Sequence, residues 1–335
     1  MRLRVGIVGL GSQWDSRYLP ALRALADRFE VRGICEEVAH RAARAATELG
    51  AVAVDGFRAL ASRDDIDALL YLTDQWYGVT PILAACDHGK AVYSAISLPC
   101  DATEAGLLRR RVEESGIAFV AELPRRHAPA TVRLKELIAT RLGKPRMLFC
   151  HRRVPHVQTP VAQQPRNRVT EARDLMELVD WCRYVVGTEP TSVVSVRHAE
   201  APGGETADYQ MMSLDFSRTG RPGDGPLAQI SCGYYMPRQW VEAVGFRPPP
   251  ALQVVCENGI AFIDLPASLV SFDTAGRHQE ELESERPVEE QMLLHFHRKV
   301  TSLVRQMSGL EDALRALEIV QAAATSQAEA RRVAV

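Results

Sequence analysis

The first 125 residues alternate in a way that few folds accept. Short apolar runs at Arg4–Val8, Val31–Cys35, Ala68–Leu72, Ala91–Ser94 and Ala118–Ala121 are separated by helical segments. Leu19–Phe29 carries Leu19, Leu22, Leu25, Ala26 and Phe29 near a 3.6-residue period. Val38–Leu49 is alanine-rich, Val79–His88 runs into Gly89, and Thr103–Ser115 follows Asp101 and stops at Gly116. Strand, helix and strand repeated at this spacing close as right-handed βαβ units around a parallel sheet. The runs are apolar throughout, as strands covered by helices on both faces must be. The expected class is α/β, opening with a doubly wound parallel sheet.

Past residue 125 the rhythm changes. A helix at Ala130–Arg141 leads to Gly143-Lys144-Pro145, and strand-like runs then dominate. They lie at Arg146–Val154, Thr191–His198, Tyr209–Phe216, Leu227–Tyr235, Leu252–Glu257, Ile260–Leu265 and Leu269–Phe272. Several alternate, turn-rich links join them, and Glu257-Asn258-Gly259 is a hairpin signal. A second α/β domain with a largely antiparallel open sheet is expected, one face packed and one free. A helix from about Glu171 to Val186 interrupts the strands, and two more close the chain. The last opens with the capping-box pattern Ser308-Gly309-Leu310-Glu311. The expected domains are 1–125 and 126–335.

Composition excludes several classes. At 46% hydrophobic and 24% charged residues, with a net charge of −2, the chain has an ordinary globular balance. No basic tract invites nucleic acid. The longest apolar stretches, such as ALLYL at 68–72, are far too short for a membrane span. The N-terminus lacks a signal-peptide core, so the protein is expected to be cytoplasmic. None of the seven cysteines forms a CxxC pair, which points to buried reduced thiols. His295 and His297, two apart on a helical segment, and His151 and His156, five apart near a strand, diverge, so no metal is expected.

The first turn carries the chemistry. In VGIVGLGSQWDSRYLPAL, Gly9 allows a tight turn after a strand, and Gly11 lets the backbone approach a pyrophosphate at a helix N-terminus. Ser12 and Gln13 complete the turn. Where a third glycine gives close helix–strand packing, the chain has Trp14, so the helix is expected one residue later with Trp14 turned out. Glu36 ends the second run 25 residues after Gly11, suited to ribose hydroxyls, and Glu36-Glu37 would repel a 2′-phosphate. NAD is therefore the expected cofactor, against the plainer reading of a glycine turn beside a surface acid.

VGIVGLG with YLPAL, DALLYLT, HGKAVY, RRHAP before a helix, and SGLEDALRALEIVQAAATSQ at the end together resemble the Gfo/Idh/MocA oxidoreductases over nearly the whole chain. The resemblance implies a Rossmann domain, a second domain with an open sheet, assembly as a homodimer or homotetramer, and sugar, polyol or related small substrates. The family's motifs are altered. Where it has Glu-Lys-Pro, whose lysine helps move the substrate hydroxyl proton, this chain has Ala95, Ile96 and Ser97. The family's Asp and His four apart, aligned on Asp180 and Gly187, become Arg173 and Glu177. Its Thr-Pro motif after the strand at 68–72 becomes Thr73-Asp74-Gln75-Trp76.

Hydride transfer from an alcohol needs a proton acceptor, worth about 10²–10⁴-fold in rate. Glu177 is the candidate base, and beside an apolar Ile96 its pKa would rise. Arg173 either binds an anionic group or pairs with Glu177 at i,i+4. Arg125, Arg126 and His127 line the expected cleft, toward an acidic substrate, or form a solvated basic corner. Trp14, Thr73 and Trp76 flank the cofactor, or the tryptophans only fill the rim. Three readings stand: an NAD-dependent oxidoreductase with rearranged acid–base residues, a non-catalytic nucleotide-binding member, and a structural partner of an active paralogue.

Overall fold

The structure, a computed structural model, describes residues 1–73, 77–95, 98, 101–156, 168–198, 209–218, 221, 223–237, 242, 246, 248–282, 286–302 and 308–335. Two compact units emerge: Met1–Pro124 with Glu285–Arg315, and Arg125–Ser284 with Ala316–Val335.

The first unit is the doubly wound parallel sheet. Its strands are β1 (Leu3–Val8), β2 (Phe29–Cys35), β3 (Val52–Ala53), β4 (Ala68–Tyr71), β5 (Ala91–Ser94) and β6 (Phe119–Ala121). They lie in the order β3-β2-β1-β4-β5-β6, every pair parallel. Helices α1 (Leu19–Ala24), α2 (Ala39–Leu49), α3 (Phe57–Ala61), α4 (Thr80–Asp87) and α5 (Ala102–Ser115) connect them. Asp101 caps α5, accepting from Thr103 N and Glu104 N at 2.8 Å, while Glu104 reaches back to Asp101 N at 3.2 Å. Helix α2 ends at Gly50 and α5 at Gly116, both left-handed. Leu3, Val5 and Ile7 of β1 are fully buried, and so is Phe296 of a later helix, Val288–Thr301, whose ring meets Tyr93 edge-on at 5.6 Å.

Two expectations here need correction. The helical periodicity read as far as Phe29, but α1 stops at Ala24 and Phe29 opens β2. Phe29 is 3% exposed, and a buried strand residue fits a helical period as well as a helical one does. Trp14 does not turn out. A π-helical turn starts at Trp14 and runs to Tyr18, and the indole is 3% exposed in the core. The ring joins the core cluster with Leu10, Tyr18 and Leu22.

In the second unit, α6 (Pro124–His127) and α7 (Pro129–Leu137) lead to β7 (Pro145–His156) and α8 (Arg168–Val186). Strands β8 (Ser192–His198), β9 (Tyr209–Asp215), β10 (Leu227–Pro237), β11 (Leu252–Cys256), β12 (Gly259–Asp264), β13 (Ser268–Asp273) and β14 (Gly276–Glu281) follow. The helix Val288–Thr301, α9, returns to the first unit, and α10 (Ser308–Glu329) then precedes β15 (Val333–Ala334). The nine-stranded sheet runs β14-β13-β12-β11-β7-β10-β9-β8-β15, parallel at β10–β7 and antiparallel in the other described pairs. The hairpin read at Glu257-Asn258-Gly259 joins β11 to β12.

Strand alternation sorts the two faces. Leu148, Cys150, Ile230, Val254, Ile263 and Leu214 are buried, on the face that α8 covers at β7 and β10. Opposite them, the register sets Leu227, Met147, Val255, Ile260 and Phe272 in one row. Met147 is 43% exposed and Leu227 and Phe272 are each 40% exposed. The six described cysteines are free and buried, and Cys100 lies outside the described residues.

Candidate functional site

The β1–α1 turn is tight and packs closely against the end of β4. Gly9 has φ +69° and Gly11 φ +65°, conformations that favour glycine. A Cβ on Gly9 would lie 2.1 Å from Thr73 Cγ2, and one on Gly11 would lie 3.1 Å from Leu72 O. The end of β4 thus packs directly against the turn. Gly9 N donates to Cys35 O at 2.8 Å, and Leu10 N donates to Glu36 Oε2 at 2.7 Å. Arg41 closes the clamp: Nη2 donates to Gly11 O at 3.0 Å, and Nη1 lies 3.4 Å from Glu36 Oε1. Ser12 and Gln13 follow, exposed, and Gln13 pairs through its side-chain oxygen with Arg17.

A second group stands at the C-terminal ends of β5 and β6. Glu122 follows β6, with a side chain 1% exposed. It accepts from Arg17 Nη2 at 2.8 Å and from Tyr18 Oη at 2.6 Å. Arg17 also donates to Glu289 at 2.7 Å. Burial opposes the charge on Arg17, yet Glu122 and Glu289 raise its pKa above the ordinary value. Burial, then Glu122, pushes Tyr93 well above the usual tyrosine range. The start of the first helix is therefore tied by charge to the far side of the sheet. Ser94, ending β5, is fully buried, and its Oγ has no hydrogen-bond partner among the described residues.

In the second unit, α8 brings its charged residues to α6 and β7. Arg173 Nε donates to Glu177 Oε1 at 3.2 Å, and Arg125 Nε lies 3.5 Å from Glu177 Oε2. Arg125 Cζ sits 5.2 Å from the centre of the Trp181 ring. Arg152 Nη2 is 2.8 Å from Asp174 Oδ1. Arg126 forks onto Asp180, with Nε donating at 2.7 Å, and Arg183 forks onto Glu189 at 2.8 and 2.7 Å. His127 closes α6, half-buried. His151 Nδ1 is 2.7 Å from Ser231 Oγ, and burial with the nearby Arg153 lowers its pKa. The neighbours around Glu177 are guanidiniums, whereas the apolar neighbour expected at Ile96 lies outside the described residues. Trp76 also lies outside them.

Residues 3–94 match the family model of the Gfo/Idh/MocA type, described as an oxidoreductase family with an NAD-binding Rossmann fold. Over those residues the first unit is similar to that family. Solved structures share the whole fold. Aldose-aldose oxidoreductase from Caulobacter crescentus superposes with a TM-score of 0.84 at 16% identity, covering 100% of both chains. An oxidoreductase from Thermotoga maritima gives 0.82 at 17% identity, covering 100% of this chain and 98% of its own. An NAD binding oxidoreductase from Klebsiella pneumoniae gives 0.81 at 15% identity, covering 100% and 99%. A search of curated proteins finds no match to the chain.

Against the Gfo/Idh/MocA pattern, the sequence pointed to Gly9, Gly11, Glu36 and Thr73, and the fold brings these four together in one unit. Glu177 and Arg173 also meet. The reading missed Arg41, Arg17, Glu122, Arg152 and Asp174. For Glu122 a signal was present, since an acid directly after a buried strand is unusual in ordinary surface patterning. For Arg152 and Asp174 there was none, because their pairing spans a strand and a helix. Among the described residues no cluster of three or more metal-ligating side chains occurs, and no helix is long and apolar enough to cross a membrane.

Proposed function

We propose that this chain is an NAD-dependent oxidoreductase acting on a small hydroxylated substrate of the sugar or polyol type, with a rearranged acid–base set. The carrying observation is the glycine turn, locked in left-handed backbone against Thr73 and bonded from Leu10 N to Glu36. Side chains at Gly9 and Gly11 would run into Thr73 and Leu72, so glycine alone keeps this turn, whose form suits a dinucleotide pyrophosphate. Backbone N–H groups from Gly11, Ser12 and Gln13 at the helix start would hold the pyrophosphate. Glu36 would take ribose hydroxyls, favouring NAD over NADP. Bound NAD supplies a hydride acceptor. Trp14, 3% exposed in the core, offers no open face for a cofactor to stack on.

In the second unit Glu177 is the group to receive the substrate hydroxyl proton. Arg173 and Arg125 fix its carboxylate, and His127 lies two residues beyond Arg125. Calorimetric titration with NAD and NADP tests the cofactor, and absorbance of the reduced cofactor across sugars, polyols and sugar acids tests turnover. The expected result is NAD binding and a turnover abolished by Glu177→Gln with NAD affinity unchanged. Turnover surviving that substitution removes Glu177 from its role.

Ala95 at the Glu-Lys-Pro position and Arg173 in place of the aspartate favour a second reading, a nucleotide-binding member without catalysis. Tight NAD binding with no turnover across the substrate panel would select it. The apolar row on the open sheet supports assembly through that face into a homodimer or homotetramer.

A further inference from the structure

Both oxygens of Glu36 are engaged. Its side chain is 5% exposed, Oε2 accepts from Leu10 N at 2.7 Å, and Oε1 faces Arg41 Nη1 at 3.4 Å. The Leu10 bond belongs to the glycine turn. Arg41 is a different kind of neighbour. It lies in the first turn of α2, where its backbone N–H donates to Val38 O at 2.8 Å. Its side chain is 45% exposed, and its contact with Glu36 is longer than the 3.0 Å bond from Nη2 to Gly11 O. A half-exposed arginine on a long contact turns aside at little cost, because exposed ion pairs are weak.

We propose that Arg41 sets how sharply this chain distinguishes NAD from NADP: it competes with the ribose of NAD for Glu36, and it supplies a cation for the 2′-phosphate of NADP. The inference rests on the cofactor reading and deepens it. A ribose hydroxyl donating to Glu36 needs Oε1, the oxygen not held by Leu10, and Arg41 stands beside that oxygen. A carboxylate oxygen has a second lone pair, but at 5% exposure the covering guanidinium must turn aside before a hydroxyl reaches it. A 2′-phosphate is repelled by Glu36 and by the exposed Glu37, whereas a guanidinium offers it paired N–H donors. Arg41 serves both roles because the helix fixes its backbone next to the acid. Arg44, one turn further along α2, lies 3.4 Å from Asp15 instead. One residue thus opposes NAD and favours NADP, and the preference is narrower than Glu36 and Glu37 alone would make it.

The test titrates NAD, NADP and the half-cofactors 5′-AMP and adenosine 2′,5′-bisphosphate into the full-length protein in a calorimeter. Arg41→Ala should tighten NAD and 5′-AMP about 2- to 5-fold. It should weaken NADP and the bisphosphate about 10- to 100-fold. The opposite signs are the signature, because damage to the turn would weaken all four ligands. Arg41→Lys keeps a cation at the position and should retain more of the NADP affinity than Arg41→Ala. In a Glu36→Gln background, Arg41→Ala should no longer tighten NAD, since no carboxylate remains for the arginine to cover. In the native protein NADP affinity should fall more steeply with salt than NAD affinity, and the two slopes should converge in Arg41→Ala. NAD affinity unchanged or lowered in Arg41→Ala, or NADP affinity unchanged, overturns the inference and leaves the cofactor reading standing. No binding of either dinucleotide or either half-cofactor defeats the cofactor reading and the inference with it.

Discussion

Leu10 donates its backbone N–H to Glu36 Oε2 at 2.7 Å, so the acid that follows β2 holds the glycine turn, beside the ribose role proposed for it. The two roles separate by substitution. Glu36→Gln keeps an acceptor for Leu10, and should leave stability within about 1 kcal/mol while erasing the preference for NAD over NADP. Glu36→Ala should lose that preference and destabilise by about 1–3 kcal/mol, because Leu10, 2% exposed, is left with an unpaired N–H. Calorimetry with both cofactors, paired with urea melts, checks both. An unchanged preference in Glu36→Gln would show that Glu36 only clamps the turn.

Gly9→Ala should destabilise by roughly 2–4 kcal/mol, from left-handed backbone and the 2.1 Å approach of the new methyl to Thr73 Cγ2. Thr73→Ser removes that methyl. The double variant should recover the steric part and keep the backbone part, a coupling readable in a double-mutant cycle of melts.

Glu122→Ala should cost about 3 kcal/mol, because Tyr18 Oη and one arm of Arg17 lose a buried acceptor. The same variant should weaken NAD binding, since Arg17 lies in the turn that starts the first helix. Loss of stability with NAD affinity intact would make the network structural alone.

His151 has a folded pKa below its ordinary value, so the unfolded chain binds the proton more readily. Its contribution is full above about pH 6.5 and is lost as pH falls from there through the folded value. Stability should therefore drop between about pH 6.5 and 5, and His151→Gln should flatten part of that slope. His295, lowered by burial and then by Lys299 and Arg298, has the same sign. Urea melts across this range read the slope directly.

The open sheet face should hold copies together. Val196, 61% exposed, pairs in register with Met211, 37% exposed, on that face. Val196→Glu should shift the light-scattering mass toward the 37.0 kDa of one chain. A native protein already at that mass would remove the assembly.

The parallel sheet was legible because its information is local. Each apolar run is bounded by its own turn, and the right-handed crossover leaves one way to close. The Gly9–Gly11 turn was legible for the same reason, since a left-handed backbone names glycine in the sequence. Short pieces such as Val52–Ala53, with both residues exposed, carry no pattern to read. They exist because a neighbouring strand offers an edge.

By itself the sequence determined the order of most elements, the two kinds of sheet, and the turn and its acid. Only the tertiary structure decided what those residues touch. It set Trp14 in the core instead of outside it, and tied Arg17 to Glu122 across 105 positions. It also surrounded Glu177 with arginines from α6 and α8. The physical reason is that periodicity encodes which face of an element is buried, whereas an ion pair depends on which two elements meet. That meeting is fixed by packing of the whole unit and leaves no trace at either residue alone.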